Sequence, residues 1–208
     1  MNPIEGKTTL VGEFVDLRPL RSDDAQLTFE WRQGARAILL NQGARTVAEQ
    51  KEWIERRPGS EHNFIIQTKS AIPIGMLALS AIDPVAKVGE PGRFLIGNEA
   101  AAQGIPAAAE AMKLLYELTF DRLGLRRVWG VVASENTRMI KWQTYLGMIR
   151  EGCLRQHLLI NGRFQDAIVF GLLDTEYRRT TLARLNSLIA AGRLIVAGTD
   201  SKEHQRGR

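Results

Sequence analysis

The 208-residue sequence holds one cysteine, Cys153, and three histidines, His62, His157 and His204. A lone thiol cannot pair within the chain, and the histidines show no metal-ligand spacing with it, so neither a disulfide framework nor a zinc site is expected. Long apolar runs are missing too: none approaches the roughly 18 residues that a membrane span needs. The opening MNPIEGKTTL has neither a basic n-region nor an apolar h-region, so no secretory leader is expected. Cysteine-poor composition suits a reducing cytosol, and a soluble cytoplasmic protein is the expectation. No basic stripe interleaved with aromatics is visible, which argues against nucleic-acid binding. The formal net charge is nonetheless +5. Part of that excess lies in the tail GRLIVAGTDSKEHQRGR and the rest is dispersed. Such a balance fits a solvated basic surface, or a basic mouth for a phosphorylated small molecule.

A chain of this length can form one domain whose core needs no covalent staple. FVDLRPL (14–20) reads as a strand, RSDD as a helix-start signal, and AQLTFEWRQG as a helix ending near Gly34. In TVAEQKEWIERRPG, Thr46 and Glu49 make a capping box, Val47, Trp53 and Ile54 an apolar stripe, and Pro58-Gly59 a stop. Residues 63–68 and 73–82 predict antiparallel strands around the turn KSAI, and 92–98 a third strand. AAAEAMKLLYELTFDRLG predicts a helix stopped by Gly124, RRVWGVVA (126–133) a buried strand, and SENTRMIKWQTYLG a short helix opening on Ser134 or Asn136. The Asn161-Gly162 dipeptide predicts the turn of a closing hairpin. A terminal helix with Leu182, Leu185 and Ile189 on one face then packs on its own domain or, as the alternative, makes a homodimer contact. The expected layout is a domain over 8–175, a C-terminal helix over 176–192 and a disordered tail over 193–208.

EAAAQGIPAAAEAM (99–112) is nearly free of bulk between a strand and a helix. A strand that runs into a helix N-terminus leaves a cluster of free backbone N–H groups at the positive end of the helix dipole, and small residues let a diphosphate approach them. Pro106 suits the first helical position. The alternative is that the alanines only let the helix pack closely on the sheet.

The order of elements, with VDLRPLRSDD, QGIPAA (103–108), ASEN ending at Asn136 and TYLGMIREG (144–152), resembles the GNAT superfamily of acyl-CoA-dependent N-acyltransferases. The resemblance covers roughly residues 8 to 175. It implies an α+β fold: one domain with a mixed, mostly antiparallel sheet, splayed central strands and flanking helices. It also implies acetyl-CoA as co-substrate, no metal, and an amine acceptor as partner. The family's pyrophosphate motif maps onto Gln103, Gly104, Ala107 and Ala108, with Pro106 where glycine is usual. By the same resemblance Ile96, Gly97 and Asn98 end the strand that pairs with the cofactor arm. Asn136 holds that arm, and Arg138 and Lys141 lie near the phosphates. The alternative for Asn136 is an ordinary N-cap, and for the two cations a solvated face.

Many members place a tyrosine acid four residues before the glycine of the last motif. Here that position is Gln143, and Tyr145 is turned about 200° from it on an ideal helix, so Tyr145 is not expected to substitute. Glu99 is the preferred base; His62, Asp83 and Glu135 are weaker candidates. A site poor in acid and base suits an amine with pKa near about 7.8 over a lysine near about 10.4. The segment FEWRQGARAILLNQGARTVAEQKEWIERR is similar to acetyltransferases of nucleotide-linked amino sugars and to those of ribosomal-protein N-termini. Trp31 and Arg32 would line the acceptor side, with helix packing and a surface ion pair as their alternative. A non-catalytic module that binds acyl-CoA or a partner protein is the competing functional reading.

Overall fold

The computed structural model describes residues 8–40 and 43–206, with side chains through Val196 in the last helix. The sheet starts with a short edge strand, β1 (Leu10–Val11), and β2 (Val15–Pro19). β1 was not predicted, because two residues carry no periodicity. A 3-10 turn at Ser22–Asp24 leads into α1 (Ala25–Gln33), and a second one at Ala35–Ala37 follows. α2 (Val47–Arg56) opens as predicted on Thr46, whose hydroxyl accepts the Glu49 N–H at 3.1 Å. The Glu49 carboxylate, however, turns to the N–H of Arg45, one residue earlier than a reciprocal box requires.

β3 (His62–Thr68), β4 (Pro73–Asp83) and β5 (Val88–Ile96) form an antiparallel meander. β5 begins four residues before the strand predicted at 92, since Lys87, at φ 55, closes the turn that precedes it. α3 (Ala107–Tyr116) runs on through a π turn at Glu117–Arg122. β6 (Arg127–Ala133), α4 (Thr137–Leu146), β7 (Ile149–Ile160) and β8 (Arg163–Leu173) follow. The Asn161-Gly162 turn of the last hairpin has φ of 51° and 74°, the left-handed pair such a turn demands. α5 (Asp174–Glu176), a π turn at Tyr177–Thr181 and α6 (Leu182–Arg206) complete the chain. The helix thus continues past 192, where the sequence reading placed a disordered tail. Side chains beyond Val196 and the last two residues lie outside the described part, as do residues 1–7.

Strand order is β1-β2-β3-β4-β5-β6-β8-β7, and every neighbouring pair is antiparallel except β5–β6. Alternation divides the core between the two sheet faces. Phe64, Ile66, Leu77 and Leu79 face α3 and α6, where Leu115, Tyr116 and Tyr177 are buried; Ile65, Met76 and Leu95 face α1 and α2 around Trp31 and Ile54. Leu185 and Ile189 of α6 belong to the first cluster, so the face proposed for a homodimer is buried in this chain's own core. Among the described residues no helix is long and apolar enough to cross a membrane, and no three His, Cys, Asp or Glu side chains cluster as metal ligands would.

Candidate active site

β5 and β6 pair only at Val88↔Arg127 and Gly89↔Val128 among the described residues. Beyond Gly89 the two strands separate, while β6 keeps its pairing with β8 as far as Ala133. The β6-facing edge of β5 is therefore free of sheet partners from Glu90 to Ile96. A cleft of about 760 Å³ opens at this divergence. Its walls are the end of β5 (Phe94, Leu95, Ile96), the start of α3 (Ala107, Ala108), one face of α4, and the segment from Ala35 to Leu40.

At the α3 end, the N–H groups of Gly104, Ile105, Ala107, Ala108 and Ala109 have no hydrogen-bond partner among the described residues. The first intrahelical bond runs from Glu110 N–H to the Pro106 carbonyl at 3.0 Å, so Pro106 is the N-cap and the helix begins at Ala107, one residue later than predicted. No side chain caps this end. Uncapped amides at a helix N-terminus form an electropositive cradle suited to a diphosphate. Arg138 and Lys141 stand on the facing wall without an ion-pair partner among the described residues. The donor set fits the diphosphate of a coenzyme A thioester, and the free edge of β5 fits its amide-bearing arm.

Ile96, Ala107, Ala108, Asn136, Arg138, Lys141 and Glu99 all line the cleft. Asn136 is the N-cap that the sequence offered, its Oδ1 accepting the Met139 N–H at 3.1 Å, while its amide nitrogen has no partner among the described residues. Gln103 and Gly104 are exposed on the loop that leads to the cradle. Gly97 and Asn98 lie outside the lining. The N–H groups of both bond the Ile74 carbonyl, and Asn98 Oδ1 accepts the Ala101 N–H at 3.1 Å, holding the turn ahead of the motif. Trp31 is buried beneath Gly97 in the core and does not line the cleft. Arg32 lines a separate pocket of about 370 Å³ with Gln33, Arg45 and Asn161, which adjoins the cleft through Ala35, Ile38 and Leu40. Burial, with the Arg93 charge adding to it, pushes the Arg32 guanidinium below its usual pKa.

The catalytic candidates are rearranged. Glu99 lines the cleft and is ion-paired there with Arg36, another cleft residue. His62 is buried in β3, Asp83 accepts the N–H groups of Val85 and Ala86 in a turn, and Glu135 meets Gln165; none of the three lines the cleft. Gln143 does not line it either, and its Oε1 is buried without a partner among the described residues. Tyr145, two residues on, does line it. Arg138, Met139, Lys141, Trp142 and Tyr145 share the face of α4 turned to the cleft. The i, i+3, i+4 spacing from 138 through 145 carried that signal. Trp142 stacks on Tyr145 at 6.4 Å, and Arg184 lies 5.7 Å from the tyrosine ring centroid.

Residues 15–149 match the family described as the acetyltransferase (GNAT) domain. The chain belongs to this family of acetyltransferases. GNAT enzymes use acetyl-CoA as co-substrate, which agrees with the donors at the start of α3. The chain is 30% identical over 179 residues to an uncharacterized N-acetyltransferase, p20, of Bacillus licheniformis, covering 81% of this chain and 98% of that protein. It is 26% identical over 118 residues to a spermidine N(1)-acetyltransferase of Vibrio cholerae, covering 57% of this chain and 66% of the relative. The crystal structure of a GCN5-related N-acetyltransferase from Brucella melitensis superposes with a TM-score of 0.73 at 28% identity, covering 88% of this chain and 86% of that one. The protein is thus a GNAT N-acyltransferase, and amine acetylation is its class of reaction.

Proposed function

We propose that this GNAT protein moves an acetyl group from acetyl-CoA to a primary amine of low pKa, carried by a nucleotide-linked amino sugar or a protein N-terminus. The observation that carries the cofactor assignment is the run of unpartnered amides from Gly104 to Ala109 beside the gap between β5 and β6. In the reaction the amine nitrogen bonds to the thioester carbonyl carbon, the C–S bond breaks, the amine loses a proton and the departing thiolate gains one. Tyr145 carries the only hydroxyl on the cleft wall among the described residues and supplies that second proton. The one carboxylate on the wall among the described residues, Glu99, is ion-paired with Arg36. An amine that arrives largely uncharged fits such a site better than a lysine side chain does.

The same charges bear on the acceptor. The cleft and its side pocket present Arg32, Arg36, Arg45, Arg138 and Lys141, with Arg36 paired to Glu99 and Arg45 to Glu49, and Glu99 is the single carboxylate lining them among the described residues. A polyamine, cationic along its length, finds no free carboxylate there, whereas an amine attached to phosphates or a carboxylate meets partners of opposite sign. The test is release of free thiol from acetyl-CoA in the presence of an amino-sugar nucleotide, a peptide with a free N-terminus and blocked lysines, or spermidine. Turnover with either of the first two above spermidine supports the reading. Preference for spermidine, or binding without turnover for every amine, overturns it.

A further inference from the structure

The ring of Pro106 and the backbone of Gly192 are in direct contact. A Cβ built on Gly192 would sit 2.5 Å from Pro106 Cγ, 2.6 Å from Cδ and 2.9 Å from Cβ, and these three ring atoms are its nearest neighbours. Gly192 lies on α6, outside the residues 15–149 that match the family. That helix is anchored on several sides. Leu185 and Ile189 are buried, Arg193 pairs with Glu13 at 2.5 Å, and Arg184 donates to the Tyr145 carbonyl. α6 therefore touches both cleft walls, at the start of α3 and at the end of α4.

Pro106 departs from the family motif, and it stands in the middle of the amide cradle, with free N–H groups at Gly104 and Ile105 before it and at Ala107 to Ala109 after it. Proline fixes φ, here at −80°, so the ring and the flanking peptide planes move together. Whatever fixes the ring fixes the direction of those N–H groups. We propose that Gly192 is a positioning residue for the acetyl-CoA diphosphate: by lacking a side chain it lets α6 back the Pro106 ring and hold the amides of the α3 N-terminus in place. This rests on the reading of the cleft as the acetyl-CoA site.

The experiment is calorimetric titration of acetyl-CoA into the wild-type protein, Gly192→Ala, Pro106→Gly and the double variant, with a melting curve for each. A purely structural role for Gly192, as a site of close packing in α6, predicts that the new methyl shifts the melting curve and leaves the Kd unchanged. The positioning role predicts that Gly192→Ala raises the Kd about tenfold, or about 1.4 kcal/mol. It also predicts rescue, because without the ring the new methyl has room: the double variant binds within about twofold of Pro106→Gly alone. Unchanged affinity in Gly192→Ala, or a penalty that persists in the Pro106→Gly background, overturns the proposal. Failure of the wild-type protein to bind acetyl-CoA overturns the cleft assignment itself, and the positioning role with it.

Discussion

Trp31 lies directly under Gly97, so close that a Cβ at position 97 would fall 2.1 Å from Trp31 Cγ. The glycine at the end of β5 is therefore required by the indole below the sheet, in the cluster with Ile54, Ile65, Met76 and Leu95. Gly97→Ala overpacks that cluster and is expected to destabilise the protein by about 1–3 kcal/mol. Urea denaturation checks the loss, and a Trp31→Ala background, which opens the space, should shrink it.

Glu110 is a buried carboxylate whose oxygens accept the backbone N–H groups of Glu13, Phe14 and Val15, each at 2.7 Å. One side chain of α3 thus satisfies the entry to β2. Glu110→Ala leaves all three donors unpaired and is expected to cost about 3 kcal/mol. Glu110→Gln keeps an acceptor oxygen and should cost less in the same denaturation experiment.

Asn136 combines a capping oxygen with an unpartnered amide on the cleft wall. Serine caps about as well as asparagine but has no amide to give, whereas alanine does neither; the cap alone is worth about 1 kcal/mol. Asn136→Ser should therefore keep the melting temperature and lose acetyl-CoA affinity, while Asn136→Ala loses both. Equal affinity in Asn136→Ser and wild type would leave Asn136 with capping alone.

Tyr145→Phe keeps the ring that packs on Trp142 and Arg184 and removes only the hydroxyl. If that hydroxyl protonates the leaving thiolate, kcat falls roughly a hundredfold while the Kd for acetyl-CoA holds. Gln143→Ala, off the cleft, should change kcat little. Unchanged kcat in Tyr145→Phe would remove Tyr145 as the proton donor.

Glu90 sits half-buried on β5, and burial raises its carboxyl above the usual carboxylate range; the Arg93 charge opposes this and the Glu61 carboxylate adds to it. The folded protein then holds this proton to higher pH than the unfolded chain does. The charged form is disfavoured by folding, so Glu90 subtracts stability as pH rises from the ordinary carboxylate value through the raised one. Glu90→Gln is expected to be close to neutral in effect near about pH 3 and stabilising near about pH 7. Denaturation midpoints at the two pH values check the sign.

Most of the fold was legible because its signals are local. Thr46 before an apolar-periodic run, Asn161-Gly162 between two strand-like runs, and Asn136 opening a helix closed by Gly147 each act within a few residues of themselves. The α3 N-terminus was legible for the same reason, since Pro106 and the three alanines after it open a helix whose first amides have no intrahelical acceptor. The catalytic assignments were not. Glu99 reads as a free carboxylate until Arg36 is brought across from the segment after α1, and Trp31 reads as lining the acceptor side or packing its helix until Gly97 is laid over it.

By itself the sequence determined the order of the main strands and helices, the small-residue helix N-terminus at the start of α3 and the α+β class, because backbone propensity, capping and alternation are short-range. Only the tertiary structure decided which side of α4 meets the cleft, so that Tyr145 and not Gln143 lines it, and that α6 backs Pro106 from 86 residues away along the chain. Those choices depend on how whole elements rotate and dock to bury Leu146, Leu185 and Ile189, and that balance of buried area is set by every element at once.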